Sequence, residues 1–329
     1  MEIEGELLGV EQLPQLARVT GTVLSWRRSL TLIGPDGSAV RVLGQGEPMN
    51  ALAPLQEIQI PWTFPKLDYD SLVSMARDLI PCGEGRGFLN PSPWERAAIL
   101  DGKEVTLGPG EMGGDAEIGE ERGVSSIKLY TGFYNVHLYH LNPLYIQDLG
   151  QASSIKLKSY LTSLQNTFGI TVVSRSPFDL EFEDGELKVQ GGDLKLIKSN
   201  DWKEAKPHRL AWDSINEVLT MDCQPKYRVS LLKIEPSSVL PVYIRYEDFK
   251  AELGLLNLND RPVISTLYLP ARITSAKVRN FDEGKWENLE SEFDRVRIPI
   301  TKWGLSLVYI ELRRLLEQLL KKKIISKSY

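Results

Sequence analysis

Three Asp-Gly pairs, each flanked by alternating apolar and polar residues, constrain the fold of this chain more than any other feature. They lie at residues 36–37, 101–102 and 184–185. Both residue types tolerate the positive φ angles of two-residue hairpin turns at little steric cost, so each pair predicts a β-hairpin. We therefore expect a chain rich in antiparallel strands that are joined by tight turns.

The segment around the third pair, FDLEFEDGELKVQ at residues 178–190, also contains the residue types of a metal-dependent nuclease centre. In such a centre carboxylates hold Mg²⁺ and a lysine polarises the attacking water, roles that Asp179, Glu186 and Lys188 would take. In a hairpin, strict alternation places Glu186 and Lys188 in solvent instead. The apolar face would then consist of Leu180, Phe182, Leu187 and Val189. We favour the hairpin, predict no catalytic residue and lean towards a protein that is not an enzyme.

The composition is that of a globular protein with more than one core. The chain has 329 residues, of which 42% are hydrophobic and 25% are charged, and this predicts two or three domains. The net charge of −5 disfavours a surface that coats nucleic acid everywhere, because such binding depends on clustered Lys and Arg. A local basic groove remains open.

The cysteines and the N-terminal residues bear on the location of the protein. Cys82 and Cys223 lie far apart and in no metal-binding spacing, so we expect two reduced, buried thiols. No apolar run approaches the roughly 18 residues that span a bilayer, and the first ten residues are acidic. We expect a soluble protein that is cytoplasmic or lies within a virus-like particle and contacts no membrane.

Strand patterns dominate the sequence, and a few helical patterns lie between them. They predict an α+β fold, mostly antiparallel β with several hairpins. Residues 17–62 contain four or five short strand patterns, which suggest a small closed barrel of the OB or SH3-like kind. Helices are predicted from Asp70, over residues 153–169 and 247–256, and in the amphipathic segment at residues 303–329. Residues 108–123 mix glycine with acidic residues and are predicted to form a mobile loop or linker.

These patterns divide the chain into four expected parts. They are a small β-barrel-like domain at 1–66, a helix, hairpin and Gly/acidic linker at 67–123, an α+β domain at 124–260, and a β segment with a C-terminal helix at 261–329.

Basic residues are interleaved with aromatic residues in three places. Aromatic rings can stack on bases while cations contact phosphates, which is how proteins hold single strands without reading their sequence. A solvated strand face above an aromatic core would give the same pattern. The candidate nucleic-acid-binding residues are Trp26, Arg27, Arg28, Lys226, Tyr227, Arg228, Tyr268, Arg272, Lys277 and Arg279.

The predicted C-terminal helix carries leucines on more than one face, which exceeds what docking on one small domain requires. This pattern favours contact with a partner subunit or with a second copy of the chain. The candidate partner-binding residues are Leu305, Val308, Leu312, Leu315, Leu316 and Leu319.

No motif indicates a metal or a cofactor. His137 and His140 would lie on opposite faces of a strand, and His208 has no recognisable partner. We therefore predict a non-catalytic interaction subunit of a larger complex that handles DNA or RNA through local basic and aromatic patches. The alternative is a structural assembly subunit of a virus- or phage-like particle, and a metal-dependent nuclease or other hydrolase is third. The expected partners are other protein subunits or further copies of the chain, and single-stranded nucleic acid.

Overall fold

Contacts between Cα atoms divide the chain into two compact units, each built from two segments. Unit 1 comprises Met1–Pro65 and Arg122–Ile215, and unit 2 comprises Lys66–Glu121 and Asn216–Tyr329. The four-part division expected from the sequence stays a prediction. The computed structural model describes residues 3–4, 22–26, 29–33, 39–44, 66–119, 123–132, 134–142, 145–165, 169–199, 207–257, 259, 261–280, 285–301 and 305–315.

The first segment contributes four short strands to unit 1. They are β1 (Ile3–Glu4), β2 (Thr22–Trp26), β3 (Ser29–Ile33) and β4 (Ala39–Gly44). They pair in the order β1-β4-β3-β2, and the pairing of β3 with β4 brackets the first Asp-Gly pair. No pairing between β1 and β2 closes these four strands into a cylinder, so the OB or SH3-like barrel is not confirmed.

The next segment opens unit 2 with helix α1 (Tyr69–Leu79), which begins one residue after its N-cap, Asp68. The carboxylate of Asp68 accepts from the backbone N–H of Asp70, so the predicted cap at Asp70 lies two residues too late. The strands that follow are β5 (Cys82–Gly83), β6 (Gly87–Leu89), β7 (Arg96–Leu100), β8 (Lys103–Leu107), β9 (Glu111–Gly113) and β10 (Ile118–Gly119).

Two expectations on this segment have different outcomes. The hairpin of β7 and β8 is confirmed, because Asp101 and Gly102 form its turn with φ angles of 51° and 71°. The glycine- and acid-rich stretch is not a linker over its described residues, since it forms β9 and β10. Its glycines permit close approach of backbones: a Cβ on Gly110 would overlap the main chain of Leu232.

The second segment of unit 1 forms one six-stranded antiparallel sheet and a helix. Its elements are β11 (Val124–Tyr130), β12 (Val136–Asn142), β13 (Tyr145–Ala152), β14 (Ser154–Gln165), β15 (Gly169–Glu183), β16 (Glu186–Ser199) and α2 (Pro207–Ile215). The strand order is β11-β16-β15-β14-β12-β13, and α2 packs against β15. The helix predicted at residues 153–169 is wrong, because Ser154–Gln165 is a strand that pairs with both β12 and β15.

The hairpin of β15 and β16 confirms the favoured interpretation of residues 178–190. Asp184 and Gly185 have φ angles of 49° and 81°, as a two-residue turn requires. The four apolar residues of the hairpin, Leu180, Phe182, Leu187 and Val189, are fully buried in the core of this sheet.

The described residues of the last segment complete unit 2 with twelve strands. They are β17 (Leu219–Met221), β18 (Gln224–Pro225), β19 (Val229–Ser230), β20 (Lys233–Glu235), β21 (Val239–Glu247), β22 (Lys250–Asn257), β23 (Val263–Tyr268), β24 (Ala271–Asn280), β25 (Glu287–Asn288), β26 (Ser291–Glu292), β27 (Arg295–Ile300) and β28 (Leu305–Arg314). The largest sheet of unit 2 has the order β21-β22-β28-β24-β25, and α1 packs against β21. Four smaller sheets have the orders β20-β23-β27-β26, β17-β6-β9-β19, β10-β7-β8 and β18-β5.

Two further predicted helices are wrong. Residues 247–256 form the turn after β21 and most of β22. The described part of the C-terminal segment, Leu305–Arg314, is the central strand of the five-stranded sheet. The buried residues Ser306, Val308, Ile310 and Leu312 lie at every second position, which is strand periodicity, and Leu307 on the other face is buried as well. Residues 316–329 lie outside the described residues.

The expectation of two reduced thiols is also wrong, because Cys82 and Cys223 form a disulfide with Cα atoms 5.2 Å apart. The bond joins the paired strands β5 and β18, and therefore the two chain segments of unit 2. Within the described residues, neither helix has the length and apolar character that crossing a membrane requires.

Candidate nucleic-acid interface

Strand β24 brings three of the predicted cations to one sheet. Ala271, Ile273, Ala276 and Val278 are buried, whereas Arg272 and Lys277 are exposed and Arg279 is half-buried. An irregularity between Ile273 and Ser275 keeps the apolar residues on the inner face along the whole strand. The basic side chains therefore share the outer face of the five-stranded sheet.

The neighbouring strand β28 adds an aromatic residue and another cation to this outer face. Tyr309 lies opposite Lys277 in the register, and Arg313 lies opposite Arg272. Side chains that face each other across antiparallel strands have Cβ atoms about 5 Å apart. The register therefore places Tyr309 beside Lys277 and two guanidinium groups beside each other.

Trp286, just before the short edge strand β25, lies against these residues. Its ring lies 5.2 Å from the guanidinium carbon of Arg279 and 6.5 Å from the ring of Tyr309, which it meets edge-on. The indole is 37% exposed. The Nε atom of Arg279 is buried and has no hydrogen-bond partner within the described part of the chain. An aromatic ring and a cation thus stand together on a surface that is open to solvent.

The centre of the same face lacks a side chain because Gly254 lies there, opposite Leu307 on β28 and Tyr243 on β21. A Cβ at Gly254 would lie only 3.1 Å from the Cβ of Tyr243. Gly254 is buried, so its neighbours close over this position and leave no room for a side chain. Burial, and secondly the charge of Glu252, raises the pKa of the Tyr243 hydroxyl, so this group stays protonated at neutral pH.

Charge is distributed unevenly over the face. The half formed by β24 and β28 carries Arg272, Lys277, Arg279 and Arg313. The acidic residues Glu247 and Glu252 lie on the other half. Glu311 lies on β28 within the basic half, opposite Ser275 of β24 and Lys250 of β22. Among the described residues no carboxylate lies within 4 Å of the cationic groups of Arg272, Lys277 or Arg313.

The remaining predicted nucleic-acid-binding residues lie elsewhere. Tyr268 is on β23 in another sheet, where its hydroxyl faces Glu235 at 3.4 Å and Lys233 lies 5.3 Å from its ring. The second group occupies the turn between β18 and β19, where Arg228 pairs with Glu111 at 3.3 Å; its members are Lys226, Tyr227 and Arg228. Arg27, Arg28 and the side chain of Trp26 lie outside the described residues.

The predicted partner-binding residues Leu305, Val308 and Leu312 lie on a strand and not on a helical surface. Val308, Leu312 and Leu315 are buried within the chain itself. The side chain of Leu305, together with Leu316 and Leu319, lies outside the described residues. Partner binding at these positions stays a prediction, but the helix on which it was based is absent over Leu305–Arg314.

Two residues of the nuclease pattern, Glu186 and Lys188, form an ion pair on the six-stranded sheet. Glu186 lies 2.8 Å from Lys128 Nζ and 3.0 Å from Lys188 Nζ. Hydrogen bonds from Lys128 and then Lys188 lower the pKa of Glu186. Across the residues with described side chains, no group of three or more His, Cys, Asp or Glu is placed to hold a metal ion.

Sequence reasoning missed Tyr243, Gly254, Trp286 and Tyr309. They belong to strands that are distant in sequence, so only the pairing of β21, β22, β28, β24 and β25 brings them together. The signal that was present is the alternation in LSLVYIELRR, which places Tyr309 and Arg313 on one face if the segment is a strand.

Comparison with known proteins does not assign a family to this chain. The sequence matches no protein-family model, and no curated protein matches it.

Proposed function

We propose that the chain is a non-catalytic subunit of a larger complex that handles DNA or RNA, and that it binds single-stranded nucleic acid on the outer face of its five-stranded sheet. The observation that carries the proposal is the group formed by Arg279 above Trp286, with Tyr309 and Lys277 beside them. Three of the predicted cations, Arg272, Lys277 and Arg279, belong to this face.

The chemistry of the face suits a single strand better than a duplex. Unstacked bases offer π faces to the rings of Trp286 and Tyr309, and each such stack contributes about 1–3 kcal/mol. In a duplex these base faces are covered by their neighbours. The cations on β24 and β28 would contact phosphates, and the overall charge of −5 confines that contact to this local surface.

The proposal is tested by fluorescence anisotropy with labelled single-stranded DNA and RNA of mixed sequence over a range of salt concentrations. Trp286→Ala should weaken binding about tenfold, and Lys277→Gln should reduce the slope of log K against log salt by about 0.7. Arg297→Gln is the matched control, because Arg297 is an exposed cation on β27 in a different sheet of the same unit. Equal losses for the control, or no binding of either nucleic acid at low salt, would overturn the proposal.

The second candidate is a structural assembly subunit of a virus- or phage-like particle. The feature that favours it is the edge strand β11, all of whose residues are exposed or half-buried. Assembly without nucleic-acid binding in the same assays would favour this candidate over the first.

A further inference from the structure

Glu311 places a carboxylate within the half of the outer face that is formed by β24 and β28. It lies on β28 two residues after Tyr309 and two residues before Arg313, about 7 Å along the strand from each. On the adjoining strand β24, Lys277 lies opposite Tyr309 and Arg272 lies opposite Arg313. The carboxylate therefore stands between two rows of the sheet that carry cations.

The charge of Glu311 is not neutralised by an ion pair within the described part of the chain. No Lys or Arg nitrogen of those residues lies within 4 Å of its carboxylate. This holds for Lys250 as well, which lies opposite Glu311 on β22. The hydroxyl of Tyr309 donates to Glu311 Oε1 at 3.4 Å. A carboxylate has about four acceptor sites, so further sites stay open to an external donor.

The position of Glu311 is unfavourable for a surface that binds only the phosphate backbone, because a carboxylate repels phosphate. A strand that contacts the cations on both sides of Glu311 must therefore place a hydrogen-bond donor over it. Unstacked bases present donors on their Watson–Crick edges. The hydrogen bond from Tyr309 sets the carboxylate at the rim of the ring on which a base would stack, so a stacked base brings its edge to Glu311.

The chemistry of a carboxylate selects among the bases. It accepts hydrogen bonds through two neighbouring oxygens and donates none. Guanine presents two adjacent donors on its Watson–Crick edge, the N1–H and the N2 amino group. Cytosine and adenine present one amino group beside an acceptor nitrogen, and thymine or uracil presents one N–H between two carbonyl oxygens. Guanine alone can therefore bind both oxygens without turning an acceptor towards the charge.

We propose that Glu311 makes this face selective for guanine in a single strand. The base stacks on Tyr309 and donates from N1 and N2 to the carboxylate of Glu311, while Lys277 and Arg313 contact phosphates on either side. The inference rests on the proposed function, because it concerns the same face, and it narrows the ligand to single strands that contain guanine. Glu311 is then the residue that determines specificity.

Fluorescence anisotropy with the full chain measures the preference. The probes are short labelled thymidine strands whose central base is guanine, hypoxanthine, adenine, cytosine or thymine. The guanine strand should bind about tenfold more tightly than the thymine strand, as expected for a bidentate contact. Hypoxanthine keeps the N1–H and the stacking surface but lacks the amino group, so the hypoxanthine strand should lose most of this advantage.

Glu311→Gln separates recognition of the base from the effect of charge. Its amide has one acceptor oxygen and one donor group, so the preference for guanine should fall to about twofold or less. Affinity for the all-thymidine strand should rise several-fold, because a negative charge is lost, and this binding also shows that the variant is folded. Glu247→Gln is the matched control and should keep the full preference. Glu247 lies in the same row of the sheet two strands away, and it pairs with Arg245 at 3.8 Å.

Three results would contradict the role of Glu311. They are equal affinities for the guanine and hypoxanthine strands, a Glu311→Gln variant whose affinity rises equally for every strand, and guanosine monophosphate that binds as tightly as the guanine strand. The second result would make the carboxylate a modulator of charge alone, and the third would assign the site to a free nucleotide. Strands that bind without any preference contradict only the selectivity for guanine, whereas a chain that binds no strand contradicts the proposed function as well.

Discussion

The described charged residues on the outer faces of the two large sheets are arranged differently. On the six-stranded sheet, cations and carboxylates of adjacent strands pair with each other, as in Lys156–Glu181 and Lys128–Glu186. On the five-stranded sheet, Lys277 and Arg279 lie beside aromatic rings instead. A face whose charges are mutually neutralised offers little to an external polyanion, and this difference directs the proposed nucleic-acid contact to unit 2.

The edge strands of the two sheets also differ: in unit 2 they are covered or short, and in unit 1 the edge strand β11 is open among the described elements. In unit 2, helix α1 covers the edge strand β21: the backbone N–H of Tyr246 donates to Ser71 Oγ at 3.0 Å, and its hydroxyl donates to Asp78 at 2.9 Å. The other edge, β25, has only two residues. In unit 1 the seven-residue edge β11 has no such cover among the described elements. The chain thus presents a face in one unit and an edge in the other.

The largest effect that separates the two units should come from removing the disulfide. Cys82→Ser with Cys223→Ser opens a loop of 141 residues that joins the two segments of unit 2, at a cost of about 5 kcal/mol in the stability of that unit. The six-stranded sheet comes from one continuous segment and should be unaffected. Hydrogen exchange should therefore accelerate in β22 and β28 and remain unchanged in β15 and β16. Equal acceleration in both sheets would show that the bond does not act on unit 2 alone.

A smaller effect is expected where α1 covers β21. Tyr246→Phe removes the hydroxyl that donates to Asp78, and should destabilise unit 2 by about 1 kcal/mol in urea unfolding at neutral pH. Tyr309→Phe is the matched control, because its hydroxyl faces Glu311 at a looser 3.4 Å on the open face. If both variants lose the same stability, the hydrogen bond from Tyr246 to Asp78 does not stabilise the packing of α1 on β21.

The same tyrosine predicts the alkaline limit of unit 2. Burial first, and then the hydrogen bond to Asp78, raises the pKa of Tyr246 above its ordinary value of 10.0. The unfolded chain therefore loses this proton at lower pH than the folded chain, so stability is intact below pH 10 and falls as pH rises above it. Tyr246→Phe should flatten that fall in a series of urea titrations. A fall that is equally steep in the variant would assign it to other groups.

The smallest effect is expected on the face of the six-stranded sheet. Glu186→Gln removes the carboxylate between Lys128 and Lys188, but all three side chains are solvated, so Tm at pH 7 should fall by about 2 °C at most. Because its pKa is lowered, the contribution of Glu186 exists above its ordinary value of 4.5 and is lost as pH falls through the folded value. The Tm values of the two proteins should therefore converge in acid. A large fall in Tm would contradict the interpretation of Glu186 as a solvated surface residue.

Turn chemistry was predicted well from the sequence, and the choice between helix and strand was not. Asp101–Gly102 and Asp184–Gly185 determine their hairpins locally through the φ angles that they tolerate. The segment at residues 154–165 alternates as Ile155, Leu157, Ser159 and Leu161, yet also contains apolar residues at helical spacing. Pairing with β12 and β15, which the local pattern does not contain, decides in favour of the strand.

The candidate site was predicted only in part for the same reason. The cations of β24 lie close together in sequence and were visible as a cluster. Tyr309 and Trp286 reach the cations of β24 through the pairing of β28 with β24 and through the residues before β25. No local sequence pattern predicts these contacts. The disulfide was missed because two cysteines separated by 141 residues carry no spacing signal.

The position of β28 has a consequence for folding during translation. In sequence this strand follows β21, β22, β24 and β25, yet in space it lies between β22 and β24. While the chain emerges, those two strands present unpaired edges that only the arrival of β28 can close. The six-stranded sheet, in contrast, has all its strands once Ser199 has left the exit tunnel. Translation therefore delivers the six-stranded sheet with its edge strand β11 well before the proposed nucleic-acid face, and a chain that stops before Leu305 would have the first without the second.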